Sequence, residues 1–333
     1  MSISVVAFGG GHGLYATLRA LNHLKSSDYS DLDISAIVGV SDDGGSSGRL
    51  RSELPIVPPG DLRMALAALC PLDPKSGVTT GASESSSTVE SLLQYRFTSE
   101  SPSSLSGHVV GNIILAALWS QGYSIVDGLR IFGQMINANG SVLPASETPT
   151  VIKALLRQGA DPSTTREVVG QVAVATTTGE VESTFIDPPD VVACPDAIVK
   201  VAEADILIFG PGSWFTSVTP HLLISDLRAA IADSTAQKVL VMNLSPQKGE
   251  TTNYDPCDYL ESWARMAPEI PIDVVIADPT CVRQSDRFSS LAEEHEIHVL
   301  WQPVASNTQA HDPQLLAKAF GIVLQMNRGV AWQ

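Results

Sequence analysis

The 333-residue sequence predicts a Rossmann-like α/β fold: a mostly parallel sheet flanked by helices, with small β excursions. Three observations predict it. Short apolar runs of strand length alternate along the chain with longer stretches of helical period. Several of those apolar runs end directly in glycine-bearing polar loops, as expected where the strands of a parallel sheet gather their functional loops at one rim. Hydrophobic residues make up 44% of the chain, enough for a full core at this length. Nothing in composition interrupts the alternation, so residues 1–333 are expected to form one elaborated α/β domain.

The elements follow in order. Ile3 to Phe8 is a buried strand and Gly9 to Gly13 a turn. Leu14, Leu18, Leu21 and Leu24 then recur at helical spacing, and Ile34 to Val40 is a second buried strand. Such a unit closes right-handed, with its strands parallel. Asp42 to Gly60 is rich in Gly, Ser and Pro and is expected to be a long loop. Leu62 to Cys70 is a short helix, with Asp61 placed to cap it. Lys75 to Ser87 is small and polar, and Ser87 with Glu90 makes a capping-box pattern for a helix through Tyr95. Gly111 to Trp119 is a nearly all-apolar helix, and Ile125 to Ile136 another. Thr150 to Arg157 is expected to be a further amphipathic helix. Between Val168 and Val192, β-prone stretches broken by Gly and Pro suggest hairpins at one edge. Buried strands resume at Asp205 to Phe209, Lys238 to Asn243 and Asp273 to Ala277. Helices near His221 to Ala232 and Pro256 to Met266 separate them. Ile297 to Trp301 is a last strand, and Pro313 to Met326 a closing helix.

Charge narrows the function. The formal net charge is -16, from 36 acidic and 20 basic residues, with no basic run to offset it. Such a surface repels nucleic acid and anionic lipid. A nucleotide would have to be held by backbone amides, a few arginines or a metal ion. Cys70, Cys194, Cys257 and Cys281 are far apart, with no C-x-x-C pair, which points to buried free thiols in a reducing compartment. The apolar N-terminal residues run into glycines without a basic flank or cleavage pattern, and no apolar run is long enough to span a bilayer. The expectation is a cytoplasmic protein without membrane insertion.

Six blocks carry chemistry. Gly9-Gly10-Gly11-His12-Gly13 follows a strand and opens a helix, where glycines let the backbone approach phosphate oxygens and aim amides at them. Gly11, Gly13 and Ala16 also fit G-x-G-x-x-A, with no Walker lysine behind them. His12 either reaches the ligand or is an exposed loop histidine. Asp42-Asp43-Gly44-Gly45-Ser46-Ser47-Gly48-Arg49 directly follows the second strand. An acid there binds ribose hydroxyls in dinucleotide folds, and two adjacent acids suit a divalent cation beside phosphates. A solvated turn needs fewer glycines than this. In Pro58-Pro59-Gly60-Asp61-Leu62-Arg63, the first-turn arginine opposes the helix dipole and calls for a partner, either an anionic ligand or Asp61 itself. Gly107-His108-Val109-Val110-Gly111-Asn112 precedes the most apolar helix, whose buried first amides need a ligand phosphate or a side chain. His108 and Asn112 are ligand contacts or satisfied structural groups. Gly210-Pro211-Gly212-Ser213, with Thr216 and Ser217, and the stretch from Asn243 to Thr251 again follow buried strands. No G-x-S-x-G elbow, H-E-x-x-H helix or Cys/His pair occurs.

In this order the six blocks resemble the CofD/YvcK-like family, and they span most of the chain. The Asp42–Arg49 run and Leu143-Pro144-Ala145 are closer to its YvcK branch, the gluconeogenesis factors. That resemblance implies a CofD-like fold and a nucleotide-sugar ligand such as UDP-N-acetylglucosamine. It further implies a regulatory role in cell shape and envelope-precursor supply during gluconeogenic growth. The ligand contacts it suggests are Gly9, Gly10, Gly11, His12, Gly13, Asp42, Asp43, Gly44, Ser46, Ser47, Arg49, Asp61, Arg63, His108, Asn112, Gly210, Gly212, Ser213 and Thr216. The alternative is a 2-phospho-L-lactate transferase acting from a nucleoside diphosphate carrier. Asp43 and Asp61 would then hold Mg2+, which stabilises charge on the leaving phosphate. A homo-oligomer fits either reading. His12, Met64 and Asp258-Tyr259 stand where the family pattern has other residues. A nicotinamide-dependent oxidoreductase would account for the first block and none of the other five.

Overall fold

The computed structural model describes residues 2–72, 88–98, 103–157, 165–306 and 310–328. Strand β1 (Ser4–Gly9) passes through the first glycine turn into α1 (Gly11–Ser26) and on to β2 (Asp33–Val38). Five helices follow: α2 (Gly45–Glu53), α3 (Pro59–Ala68), α4 (Thr88–Gln94), α5 (Val110–Ser120) and α6 (Ile125–Met135). Next come β3 (Ser141–Pro144), β4 (Val151–Arg157), β5 (Thr165–Val169), α7 (Gln171–Ala175) and β6 (Glu180–Asp187). Helix α8 (Pro195–Ala202) leads to β7 (Ile206–Phe209) and two short helical turns, Trp214–Val218 and Thr219–Leu223. The chain closes with α9 (Ser225–Asp233), β8 (Gln237–Val241), α10 (Pro256–Met266), β9 (Val274–Ala277), α11 (Ser285–Glu294), β10 (His298–Trp301) and α12 (Pro313–Asn327).

Seven strands form one parallel sheet in the order β10-β9-β8-β7-β1-β2-β3. Both faces are covered, so the strands read as nearly unbroken hydrophobic runs. Val5, Ala7, Ile34, Ala36 and Ile208 pack with residues of α1, α3, α5 and α12 on one face. Val6, Phe8, Ile37, Leu207 and Phe209 pack with β4, β6 and helices α8 to α11 on the other. The chain runs outward from β1 through β2 to β3, then returns to β7 at the opposite side of β1. That reversal falls at the C-terminal ends of β1 and β7, the position at which doubly wound sheets generally hold ligands. Pairing of Phe8 with Phe209 sets Gly9 and Gly210 side by side.

Several expectations are corrected. Residues 151–157 form a strand, not an amphipathic helix. Ile152, Ala154 and Leu156 are buried and alternate with partly exposed neighbours, which is period two. With β5 and β6 this strand forms a separate three-stranded antiparallel sheet, not hairpins at an edge of the main one. The stretch from Asp42 to Gly60 is not all loop, because α2 forms within it, opened by Gly45 at φ +46°. Asp61 does not cap the following helix. Pro58 holds that position, Pro59 opens the helix, and Asp61 sits in its first turn. His221 lies on a short turn before α9, separate from it. Strand β3 and helices α8 and α11 carried no sequence expectation, and α7 forms within Val168 to Val192, where only β-prone stretches were expected. Lys75 to Ser87, and with it the Ser87 half of the capping box, lies outside the described residues. Among the described residues all four cysteines are free, and no helix is long and apolar enough to cross a membrane.

Candidate functional site

The first and fifth blocks meet on one rim. Gly9 and Gly11 adopt φ of +152° and +56°, conformations open to a residue without a Cβ. Gly13 is pressed so closely on the Pro211 carbonyl that any side chain would overlap it. The Gly210 amide donates to the Phe8 carbonyl at 3.2 Å. The two glycine turns are therefore packed on each other at the ends of β1 and β7.

Two carboxylates join them, Asp42 from the loop after β2 and Asp61 from the first turn of α3. Helix α1 has Gly10 at its N-cap and no side-chain cap of its own. The Asp61 carboxylate serves instead, accepting the Gly11 amide. It stands so near Gly10 that a Cβ there would be 2.5 Å from its Oδ2. Asp42 reaches the same place: its Oδ2 and the Ser47 hydroxyl fill the space left by Gly60. Burial and then Asp42 push the Asp61 pKa up to about 7, against the pull of the Gly11 amide and Arg63. The acids that converge are thus Asp42 and Asp61. Asp43 points elsewhere, with its Oδ1 accepting the Val172 amide at 3.0 Å.

Residues of the second, third and fourth blocks form one buried network. Ser46 Oγ lies 3.1 Å from His108 Nδ1 and accepts from Asn112 Nδ2 at 3.1 Å. It also accepts the Val109 amide, at the start of α5. Arg63 Nε donates to Asn112 Oδ1 at 3.2 Å, and the same guanidinium bonds Gln94. These side chains tie α2, α3 and α5 together, and they satisfy one another. Gly111 is required because the Arg63 methylenes occupy its side-chain space. Burial lowers the Arg63 pKa to about 10, with Asp61 opposing. Burial, then Arg49, holds the His108 imidazole below its usual pKa. The dipole penalty at Arg63 is met by Asn112 and Gln94, with Asp61 nearby. Arg49 lies at the surface side, donating to the Ser106 carbonyl at 2.8 Å. Gly44 bonds Asp42 Oδ1 at 2.9 Å, and His12 is exposed on the first turn of α1.

The sixth block serves the fifth. The Asn243 side chain accepts the Gly212 amide at 3.0 Å and donates to the Gly212 carbonyl at 2.9 Å. Gln247 accepts the Trp214 amide, and Glu250 accepts both the Phe215 amide and the Thr216 hydroxyl. The amides opening the Trp214–Val218 turn are therefore filled by protein side chains, and Thr216 faces Glu250. Ser213 also bonds Glu250, whose carboxyl is raised by burial against these donors.

Beyond Asn243 the rim opens into a cavity of about 550 Å³ at the ends of β8 and β9, with Ser245, Tyr254, Tyr259, Thr280 and Arg283 in its lining. That volume suits a small organic ligand. Sequence reasoning missed Tyr254, Thr280 and Arg283. The available signal was Asp278-Pro279-Thr280 directly after β9, where Asp278 accepts the Thr280 amide and hydroxyl. Among the described residues no group of three or more His, Cys, Asp or Glu is arranged as a metal site.

Comparison with known proteins agrees with this fold. Residues 5–312 match the family described as 2-phospho-L-lactate transferase CofD. A Mycobacterium tuberculosis (strain CDC 1551 / Oshkosh) protein is 39% identical over 322 residues, covering 95% of this chain and 89% of its own. The gluconeogenesis factor of Bacillus subtilis (strain 168) is 36% identical over 258 residues, covering 78% of this chain and 73% of its own. A crystal structure of a UPF0052 family member from Bacillus halodurans superposes with a TM-score of 0.80 at 28% identity, covering 96% of this chain and 98% of that one.

Proposed function

The chain belongs to the 2-phospho-L-lactate transferase CofD family, and we propose that it binds a nucleotide-sugar of the UDP-N-acetylglucosamine class as a regulatory ligand. The observation that carries this reading is the packing of the Gly9–Gly13 turn on the Gly210–Ser213 turn, beside an open cavity on the same rim. Glycine turns at strand ends suit a diphosphate, which backbone amides can approach closely. The cavity beyond Asn243 suits the organic part of such a ligand: Tyr254 and Tyr259 offer flat apolar surface, Thr280 a hydroxyl and Arg283 a charge.

A diphosphate beside Asp42 and Asp61 needs its charge offset. Carboxylate oxygens converging from the loop after β2 and the first turn of α3 fit a hard divalent cation such as Mg2+, which would supply that offset. Asp42 and Asp61 are the residues that would hold it. The gluconeogenesis-factor relatives favour a regulatory output over phospholactyl transfer, and an effect on cell shape and envelope-precursor supply under gluconeogenic growth follows as the physiological expectation.

Calorimetry with UDP-N-acetylglucosamine, with and without MgCl2, tests the reading. Saturable heat with one site per chain is expected. Absence of heat at millimolar ligand under both conditions would sink it.

A further inference from the structure

The short helix α7 spans two loops of the rim. At its start the Val172 amide donates to Asp43 Oδ1 at 3.0 Å, and the preceding Gly170 faces Asp43 Oδ2 so closely that a methyl group there would overlap it. At its far end the carbonyls of Ala175 and Thr177 sit against Gly249, again too near for a side chain. Asp43 stands in the loop after β2, and Gly249 in the loop after β8. In the sheet, β1 and β7 lie between those strands. Helix α7 therefore runs alongside the ends of the two strands that carry the glycine turns, and it packs on the Trp214–Val218 turn. Val174 is fully buried on its inner side, while Val172 and Ala173 face solvent.

A five-residue helix cannot hold its own conformation in water, because one turn fixes more dihedrals than its hydrogen bonds repay. Its place must come from its anchors. Val174 supplies one by burial and Gly249 one by close packing. Asp43 supplies the side-chain hydrogen bond, at the end nearer β2, beside the backbone bond from the Gly170 amide to the Ile152 carbonyl at 2.8 Å.

We infer that Asp43 is a positioning residue, whose carboxylate fixes α7 as one wall of the ligand crevice without touching ligand or metal. The word ligand here rests on the reading proposed above, whereas the attachment of the wall is a property of the free protein. The consequence is a division of labour between neighbours: Asp42 turns to the phosphate rim, and Asp43 turns to the wall. A firmly held wall keeps a bound ligand from leaving, so the effect of loosening it falls mainly on the dissociation rate.

Hydrogen exchange on the full chain, read by mass spectrometry, tests this with Asp43→Ala and Asp43→Asn. Asparagine keeps the Oδ1 acceptor and discards the charge. Exchange over residues 171–176 is expected to quicken about tenfold in Asp43→Ala and to stay within about threefold of the parent in Asp43→Asn, the scale of one hydrogen bond. Dissociation of UDP-N-acetylglucosamine should quicken in the alanine variant and recover in the asparagine variant. Unchanged exchange in Asp43→Ala overturns the inference, as does an asparagine variant that behaves like alanine, which would mark the charge itself as the working part. If the parent protein does not bind the nucleotide-sugar, the function proposed above fails, while the exchange experiment still decides whether Asp43 holds α7.

Discussion

His221 shows how single residues set the frame around the rim. Its ring is fully buried, with Nδ1 at 3.1 Å from the Val218 carbonyl and Nε2 at 3.1 Å from the Ile37 carbonyl. It thereby ties the turn after β7 to the end of β2. Two carbonyls favour the imidazolium, but burial outweighs them and lowers the pKa from 6.5 to about 4. The native state thus takes the neutral ring, and the unfolded chain binds the proton first as pH falls. The His221 contribution is present in full above pH 6.5 and is lost as pH drops toward 4, about 3 kcal/mol over that window. Urea denaturation between pH 7.5 and 4.5 should show that loss in the parent. A His221→Gln variant should be less stable at pH 7.5 and show a flatter decline, and an equal decline in both would exclude His221 as its source. The residue scale is also where the sequence was least legible. Asp42 and Asp43 are chemically identical neighbours, and only the course of the backbone through Gly44 and Gly45 decides which faces Asp61 and which faces Val172. The glycines were readable because close backbone approach excludes a side chain; the directions of the acids were not, because either acid satisfies the same composition.

At the scale of elements, the Trp214–Val218 turn is held by a loop 30 or so residues away in sequence. Glu250 is 3% exposed and is the acceptor for the Phe215 amide and the Thr216 hydroxyl. Removing it leaves buried donors unmet, at about 1–3 kcal/mol for such groups. Glu250→Ala is expected to destabilise by about 3 kcal/mol in urea denaturation. Glu250→Gln keeps one acceptor oxygen and should lose about half as much. Equal stability of Glu250→Ala and the parent would remove the carboxylate from the account of this turn. The same element-level logic explains what pattern reading caught and what it lost. Strands β1, β2, β7, β8 and β9 were legible because a doubly covered parallel strand is apolar throughout. Strand β4 was not. Val151-Ile152-Lys153-Ala154-Leu155-Leu156-Arg157 mixes apolar and basic residues in a way that fits a helical stripe as well as alternation. The deciding force is pairing with β5 and β6 on both sides, which is not a local property. Helix α2 was hidden for the opposite reason: its Gly and Ser residues have weak helix propensity, and its Ser46 and Ser47 are fixed by contacts to α5 and Gly60.

For the whole molecule, the decisive feature is that a parallel sheet has two unlike rims. Loops after β1, β2, β7, β8 and β9 all leave the same rim, so blocks scattered over more than 200 residues are brought together. This much was legible, because it follows from strand direction alone. The cavity at the ends of β8 and β9 was only half legible: Asn243 and Ser245 belong to the sixth block, but Tyr254 and Arg283 lie just past the polar stretches that flag their loops and carry no motif themselves. A second cavity, of about 430 Å³, lies between α1 and α12 near their C-terminal ends, lined in part by His23, Tyr29 and Lys318. The two hollows make a controlled comparison, each with a basic side chain in its wall. On a protein of net charge -16, an exposed arginine at the glycine-turn rim is one of few cations available to a diphosphate ligand. Arg283→Ala should weaken UDP-N-acetylglucosamine binding about five- to tenfold, the scale of a charge-assisted contact at a partly exposed position. The loss should shrink as salt is raised from 50 to 500 mM, because screening already removes part of the attraction. Lys318→Ala, at the other hollow, should leave affinity unchanged, and neither exposed substitution should shift the melting temperature by more than about 2 °C. Titration calorimetry on the three proteins at two salt concentrations, with a thermal melt of each, reads all of this. A larger loss from Lys318→Ala than from Arg283→Ala would move the proposed ligand site from the glycine-turn rim to the opposite end of the sheet.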